Sequence, residues 1–143
     1  MQEINEVRTL SLKGAKRLAD AAIAEAEARG FRMHVTVTDA AGNVLVYQRM
    51  DGAPLPAREF SEKKAFTAVG YGKPTSVWKR RLAENPHLAT GLSQHPRLAM
   101  IAGGLCVEVD GEIVGAIGIA GGLEEDDETV ARAALERYLS EGV

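Results

Sequence analysis

The order of helical and alternating segments predicts an α+β domain built on an antiparallel sheet. Two pairs of alternating apolar runs are joined by short turns, at Asp39–Asn43 and at Asp110–Gly111, and this is the pattern of β-hairpins. Amphipathic helical segments precede, separate and follow the hairpins, without the strand–helix–strand alternation of a parallel sheet. We therefore expect helices packed on an antiparallel sheet in two or three layers.

The first helix and the first hairpin have clear boundaries in the sequence. Ser11 is a favourable N-cap, and Gly30 is a favourable residue just past a helix end. The expected buried stripe of this helix is Leu12, Ala15, Leu18, Ala19, Ala22, Ile23 and Ala26. Strands are expected over 34–39 and 44–50, where apolar and polar residues alternate.

The middle of the chain is expected to hold one long helix, a short helix and an irregular segment. The long helix spans about 57–69, between prolines and a group of glycines. A short helix over 75–82 places Trp78 on its apolar side. The segment 85–97 contains two prolines and is expected to be a loop or irregular helix, and 98–102 is expected to be a short strand.

A glycine-rich hairpin between Ala102 and Gly122 has one bulky and one nearly bare face on its second strand. The bulky face is Ile113, Gly115, Ile117 and Ile119, and the bare face is Val114, Ala116, Gly118 and Ala120. A bare face lets another backbone or a flat ligand approach closely. The last helix is expected to begin near Glu124, and its acidic first turn disfavours phosphate binding there.

Composition and charge limit the functional classes. The 143 residues are enough for one domain over 1–143, and the net charge of −3 gives no general attraction to nucleic acid or an anionic membrane. No apolar run reaches the ~20 residues that span a bilayer, and the acidic N-terminus is unlike a secretory signal. With Cys106 as its single cysteine, the chain is expected to be cytoplasmic.

Two charged residues mark the end of the first hairpin. Arg49 could bind a carboxylate through two parallel hydrogen bonds, and Asp51 could orient it or act as a base. Loops at strand ends carry functional residues more often than strand centres do. The alternative is an Arg–Asp surface pair or a simple turn at Asp51–Gly52.

A lysine pair lies early in the long helix. Lys63 and Lys64 are about 100° apart around the helix axis, so only one can face the sheet. Lys64 is closer to the inner face, because Phe60 and Ala68 lie four residues before and after it. We expect Lys64 to neutralise a ligand carboxylate or stabilise an oxyanion, and the alternative is a solvated helix face.

The histidines and the cysteine form no metal-binding pattern. His34, His87 and His95 each lack a second His or Cys at metal-ligand spacing, so no metal site is predicted. His87 and His95 flank a loop from which either could reach a haem iron or move a proton, and His87 is the catalytic candidate. His34 is expected on the polar side of its strand, and Cys106 is expected to be a small buried hydrophobe.

Several short motifs occur in one characteristic order. They are Asp39–Asn43, Arg49–Ala53, Lys64–Ala68, Gly103–Gly104, Asp110–Gly118 and Gly121–Gly122. From about Leu10 to Tyr138 the chain thereby resembles the GlcG/HbpS family, which also appears as the C-terminal domain of PduO-type cobalamin adenosyltransferases.

The resemblance implies a profilin-like fold, in which a five-stranded antiparallel sheet carries helices on both faces. It also implies dimers or larger homo-oligomers, and haem binding as in some members. This chain has Cys106 and Ala120 where the family usually has proline and serine. Its first helix lacks the histidine linked to haem ligation in some members, so His87 or His95 is the expected axial donor.

Three functions are compatible with these observations. The first is a small-molecule-binding protein that holds haem or another planar or carboxylated ligand in a pocket lined by Arg49, Asp51, Lys64 and the Gly103–Gly104 turn. The second is a cofactor-independent enzyme acting by proton transfer on an organic acid or aromatic metabolite. The third is an oligomerising accessory module without a ligand. We take the first as the leading hypothesis.

Overall fold

Four antiparallel strands form the central sheet of the computed structural model, which describes residues 1–143. They are β1 (His34–Asp39), β2 (Val44–Arg49), β3 (Gly104–Val109) and β4 (Glu112–Ala120), in the order β2-β1-β4-β3. Both predicted hairpins are present, and antiparallel pairing of β1 with β4 joins them into one sheet.

Helices cover both faces of this sheet. α1 (Leu12–Ala28) and α5 (Glu124–Ser140) pack against each other and against one face, while α2 (Arg58–Tyr71) packs on the other. Two short helices, α3 (Trp78–Glu84) and α4 (Pro86–Ser93), connect α2 to β3. The predicted α+β class is therefore confirmed. None of these helices has the combination of length and apolar character needed to cross a membrane.

The strand count corrects one expectation, because the sheet has four strands rather than five. Residues 98–102 form no strand. The Ala99 N–H donates to Thr67 Oγ1 on α2 at 2.9 Å, so this segment is held by a helix instead of a neighbouring strand. The following glycine, Gly103, has φ +130°, a conformation that favours glycine.

The boundaries of α1 are the ones expected from its caps. Ser11 Oγ accepts a hydrogen bond from the Gly14 N–H at 3.2 Å, and Gly30 follows the helix with φ +73°. Five of the seven residues of the predicted stripe are buried, while Leu12 is exposed and Ile23 is half-buried.

The two layers around the sheet differ in what fills them. Leucine, valine and isoleucine side chains pack between the sheet and α1 and α5, including Leu18, Val35, Ile117 and Val130. The α2 layer contains a small apolar cluster of Ala65, Ala68 and Ala116, surrounded by buried polar side chains.

A bulge in the second hairpin places Val114 on the face of the sheet opposite to the one expected. The pairing shifts between Val107 and Glu108, which oppose Gly115 and Ile113, so Val114 has no partner on β3. Val114 therefore packs in the larger core rather than on the bare face.

Candidate functional site

The bare glycine face of the second hairpin is covered by α2 of the same chain. A Cβ added to Gly118 would overlap the Ser61 carbonyl oxygen and lie 2.6 Å from the Ala65 nitrogen. A Cβ on Gly104 would overlap the Lys64 carbonyl oxygen. The glycines therefore allow a helix backbone to approach, and no ligand fits between α2 and the strands at Gly104 and Gly118.

Lys64 points into the protein, as its spacing on the helix indicated. Its side chain is 2 % exposed, and Nζ donates to the Ile119 carbonyl oxygen at 2.9 Å and to Asp127 Oδ2 at 2.8 Å. A Cβ on Gly103 would lie 2.8 Å from Nζ, so a larger residue at position 103 would collide with the lysine. Lys63 stays half-exposed, with Nζ 5.5 Å from the Phe60 ring centre.

Asp127 is the partner of Lys64, and it was missed in the sequence. Burial raises the pKa of the Asp127 carboxyl, although the Lys64 charge and the hydrogen bonds from Lys64 and Gly122 act in the opposite direction. Asp127 precedes Val130, Ala131 and Ala134 at helical spacing, so it shares their buried stripe. That spacing was the available signal, but the acidic first turn was considered only as an unfavourable place for phosphate.

A small cavity of about 200 Å³, which we call the Lys64 cavity, lies beside this ion pair. Its charged lining residues are Lys64, Asp127 and the exposed Glu124. The rest of its wall is mostly apolar or glycine, from Pro54, Ala57, Phe60, Ile101, Ala120, Gly121 and Gly122. A buried lysine and a buried carboxylate therefore meet at a space large enough for a small molecule.

Arg49 and Asp51 lie elsewhere, in an open cleft of about 830 Å³ between the end of α1 and the end of the first hairpin. We call it the arginine cleft. Its wall consists of Ile23, Glu27, Gly30, Phe31, Arg32, Gln48, Arg49, Met50, Asp51 and Gly52. Arg32 and Arg49 are exposed, and neither has a carboxylate oxygen within 4.0 Å. Both guanidinium groups are therefore available to a ligand.

Strand pairing places the second arginine in this cleft. His34 is opposite Arg49, and the Met50 N–H donates to the Met33 carbonyl oxygen at 3.0 Å, so the pairing continues past the strand ends. Continued by one residue, this register puts Arg32 opposite Asp51. Arg32 was not a sequence candidate, but the hairpin register was a signal that could have found it.

None of the histidines lines either the arginine cleft or the Lys64 cavity. His34 is buried on the polar side of β1, as expected, with Nε2 2.8 Å from the Pro54 carbonyl oxygen and Nδ1 2.7 Å from the Tyr47 hydroxyl. Because a carbonyl only accepts, Nε2 carries a proton, and in a neutral ring Nδ1 then accepts from the Tyr47 hydroxyl. His87 is exposed on α4, and His95 packs near the Phe66 ring.

Cys106 has the properties of a structural thiol. Its Sγ donates to the Ala68 carbonyl oxygen at 3.1 Å. Burial, together with the nearby Glu108 charge, raises the pKa of the Cys106 thiol to about 11. It is therefore almost entirely protonated at neutral pH. No group of three or more His, Cys, Asp or Glu side chains is arranged to hold a metal ion.

The family comparison matches most of this fold. The family described as "Haem degrading protein HbpS-like" matches residues 10–136. An uncharacterised 15.0 kDa protein from the dhaT-dhaS intergenic region of Citrobacter freundii is 31% identical over 139 residues, covering 96% of this chain and 98% of the relative. Protein GlcG of Escherichia coli K12 is 32% identical over 111 residues, covering 78% of this chain and 81% of GlcG.

Two solved structures are similar to this fold, and one of them is a haem complex. A double mutant of Streptomyces reticuli HbpS superposes with a TM-score of 0.84 at 38% identity, covering 96% of this chain and 92% of HbpS. A PduOC:heme complex superposes with a TM-score of 0.81 at 29% identity, covering 90% of this chain and 94% of that one. Both similarities extend over nearly the whole chain.

Proposed function

Because this chain belongs to the HbpS-like family, we propose that it is a small-molecule-binding protein whose ligand is haem or another flat, carboxylated molecule. The proposal rests on one observation: Arg32 and Arg49, neither of which has an ion-pair partner, lie in the wall of the same open cleft. A structural neighbour in this family is a haem complex, which supports haem as the first ligand to test.

The residues of the arginine cleft are better suited to bind the propionates and the ring of haem than to ligate its iron. Arg32 and Arg49 can bind the propionates, and Phe31 and Ile23 offer apolar surface to the ring. Met50 is the one lining side chain of a type that ligates haem iron, and its Sδ accepts a hydrogen bond from the Met33 N–H at 3.3 Å. Haem in this cleft would therefore be held mainly through its propionates, by Arg32 and Arg49, and through its ring, by Phe31 and Ile23.

This proposal narrows the expected site. Arg49 and Asp51 stay in it, and Arg32 joins them. Lys64 and Gly103–Gly104 lie outside the cleft lining, because the lysine is paired with Asp127 and the glycines pack near it. The two glycines leave room for Lys64 and for the α2 backbone beside the sheet.

Asp51 separates binding from catalysis. No hydrogen bond or ion pair occupies its carboxylate, and it stands in the cleft with the two arginines. In a binding protein for a dianion, Asp51 repels the ligand. In the alternative, an enzyme that acts by proton transfer, Asp51 is the base that takes a substrate proton. His87 does not line the cleft, so this alternative rests on Asp51.

Titration with haemin, followed by the Soret absorption band, tests the proposal. We expect Arg49→Ala and Arg32→Ala each to weaken binding about 3- to 10-fold, the range for one charge-assisted contact on an open surface. Asp51→Asn should tighten binding, because it removes a like charge. Arg80→Ala, at an exposed arginine outside the cleft, is the matched control. Equal Soret changes in wild type and in the Arg32/Arg49 double variant would reject the cleft.

A homo-oligomer is part of the same proposal. Leu55 and Leu123 are exposed apolar residues, and a partner subunit would bury them. Sedimentation at micromolar concentration should give a multiple of the 15.3 kDa chain mass. A monomer that also binds neither haemin nor a simple dicarboxylate would leave no support for the ligand-binding function.

A further inference from the structure

We propose that the Lys64 cavity is a second ligand site, which takes a small carbonyl compound and allows Lys64 to form an imine with it. This site is separate from the arginine cleft, with which it shares no lining residue. The inference therefore stands independently of haem binding.

The size of the cavity favours a small ligand. Its volume is about 200 Å³, whereas a water molecule in the liquid occupies about 30 Å³ and pockets for drug-sized ligands begin near 300 Å³. A molecule of a few carbon atoms fills this space, whereas most of a haem would lie outside it. The apolar wall, which includes Pro54, Phe60 and Ile101, favours a ligand with a short hydrocarbon part.

The charges in the wall select the functional group. Lys64 Nζ has three N–H groups, of which two are used by Ile119 and Asp127. The third is left for a ligand oxygen. Asp127 and Glu124 add two negative charges against the one positive charge of Lys64. A dianion is therefore repelled, and a neutral carbonyl group is the acceptor that this wall suits best.

The ion pair supplies the proton transfers that imine formation needs. The Lys64 ammonium passes a proton to the Asp127 carboxylate, and the resulting amine attacks the carbonyl carbon to form a C–N bond. The carbonyl oxygen takes a proton from that nitrogen, which gives a carbinolamine. Asp127 then returns its proton to the hydroxyl group, which leaves as water while the C=N bond forms. The products are an iminium ion on Lys64, an ionised Asp127 and one water molecule.

The position of the pair favours chemistry over a purely structural role. Burying a lysine and an aspartate removes both from water, and well-packed apolar residues are often as stable or more stable at such sites. Here the pair also borders a cavity instead of a filled core. The raised pKa of Asp127, caused by its burial, supports its role as the proton acceptor.

Trapping on the wild-type protein tests the inference without relying on a variant that folds. The protein is treated at neutral pH with substoichiometric propanal and sodium cyanoborohydride, and peptide mass spectrometry locates the propyl groups. We expect Lys64 to be labelled before the half-exposed Lys63, despite its burial. Labelling that follows exposure, with Lys63 and the other surface lysines modified and Lys64 untouched, would overturn the proposal.

Two variants separate chemistry from access. Asp127→Asn keeps an acceptor for the Gly122 N–H but removes the proton acceptor, so labelling of Lys64 should slow by about 100-fold, in the range of general acid–base catalysis. Lys63→Arg should leave it unchanged. An equal labelling rate in Asp127→Asn would show that Lys64 reacts without its partner and would reject the assigned role of Asp127.

Haemin binding by the labelled protein should be unchanged, so failure of the imine proposal is distinguishable from failure of the haem-binding proposal.

Discussion

The arginine cleft and the Lys64 cavity hold the same kinds of charge in opposite situations. Arg32 and Arg49 are exposed and have no carboxylate partner, whereas Lys64 is buried and bonded to Asp127. A ligand can therefore bind the two arginines directly, whereas a ligand in the cavity must break or share the bond between Lys64 and Asp127. This difference shows that a basic residue in a candidate site is informative only when its partner is known.

The largest effect is expected from a substitution that disrupts the packing of α2 on the sheet. Gly118→Val places a branched side chain against the Ser61 carbonyl and the Ala65 nitrogen, where no space exists. We expect the free energy of unfolding to fall by about 4 kcal/mol or more, because backbone atoms cannot move aside as a side chain can. Urea denaturation measures this loss.

Gly70→Ala is the matched control for that prediction. Gly70 lies in α2, and a Cβ there would have no atom within 4 Å. Alanine should therefore stabilise the helix by up to about 1 kcal/mol. A cooperative unfolding transition for Gly118→Val at the wild-type midpoint would show that α2 does not pack on this strand as described.

The next largest effect should come from breaking the buried ion pair. Lys64→Met leaves Asp127 buried without its partner, and the expected cost is about 3 kcal/mol in the free energy of unfolding. Burial raises the folded-state pKa of Asp127 and Lys64 lowers it, so removal of Lys64 raises that pKa further, and protonation stabilises the folded variant more than it stabilises folded wild type. The deficit relative to wild type should therefore shrink as pH falls from 7.5 towards 5 and grow as pH rises.

A double-mutant cycle provides the check on this interpretation. In Lys64→Met with Asp127→Asn, neither residue is charged and the asparagine can still accept from the Gly122 N–H. The combined loss should be smaller than the sum of the two single losses. Additive losses would mean that the two side chains contribute independently, and the ion pair would then have no special weight.

Local patterns were sufficient to predict most of the fold. Ser11 and Gly30 marked the ends of α1 through capping chemistry, and the turns at Asp39–Asn43 and Asp110–Gly111 located both hairpins. No local pattern indicated that the fifth strand would be absent. Residues 98–102 are apolar enough for a strand, but the hydrogen bond from Ala99 to Thr67 depends on where α2 lies.

The candidate sites were harder to predict, because they depend on which distant residues meet. Spacing on the helix correctly turned Lys64 inward, yet nothing local to position 64 identifies Asp127 as its partner, 63 residues away. In the same way, Arg49 and Asp51 became candidates from their position at a strand end, while Arg32 became one only through the hairpin register. Pairing between elements was the information that local patterns lacked.

A smaller effect is expected at Cys106, which lies on the face of the sheet that α2 covers. Its reactivity tests whether this face is closed to small reagents, in contrast to the open arginine cleft. Since the pKa of the thiol is about 11, its thiolate fraction at pH 8 is about 100-fold below that of a free cysteine with pKa near 9. Alkylation by iodoacetamide should be slower by about this factor and should recover in denaturant. The raised pKa also means that folding stability falls as pH rises from about 9 to about 11. Fast alkylation of the folded protein at pH 8 would contradict the closed face.

The smallest effect is expected in the arginine cleft, and it is the counterpart of the ion-pair result. Arg32→Ala and Arg49→Ala remove charges with no ion-pair partner in the protein, so each should change the free energy of unfolding by no more than about 0.5 kcal/mol. Urea denaturation of the variants beside Lys64→Met makes the contrast direct. A loss of 2 kcal/mol at Arg49 would show that the arginine serves the fold, and its availability to a carboxylated ligand would lose its basis.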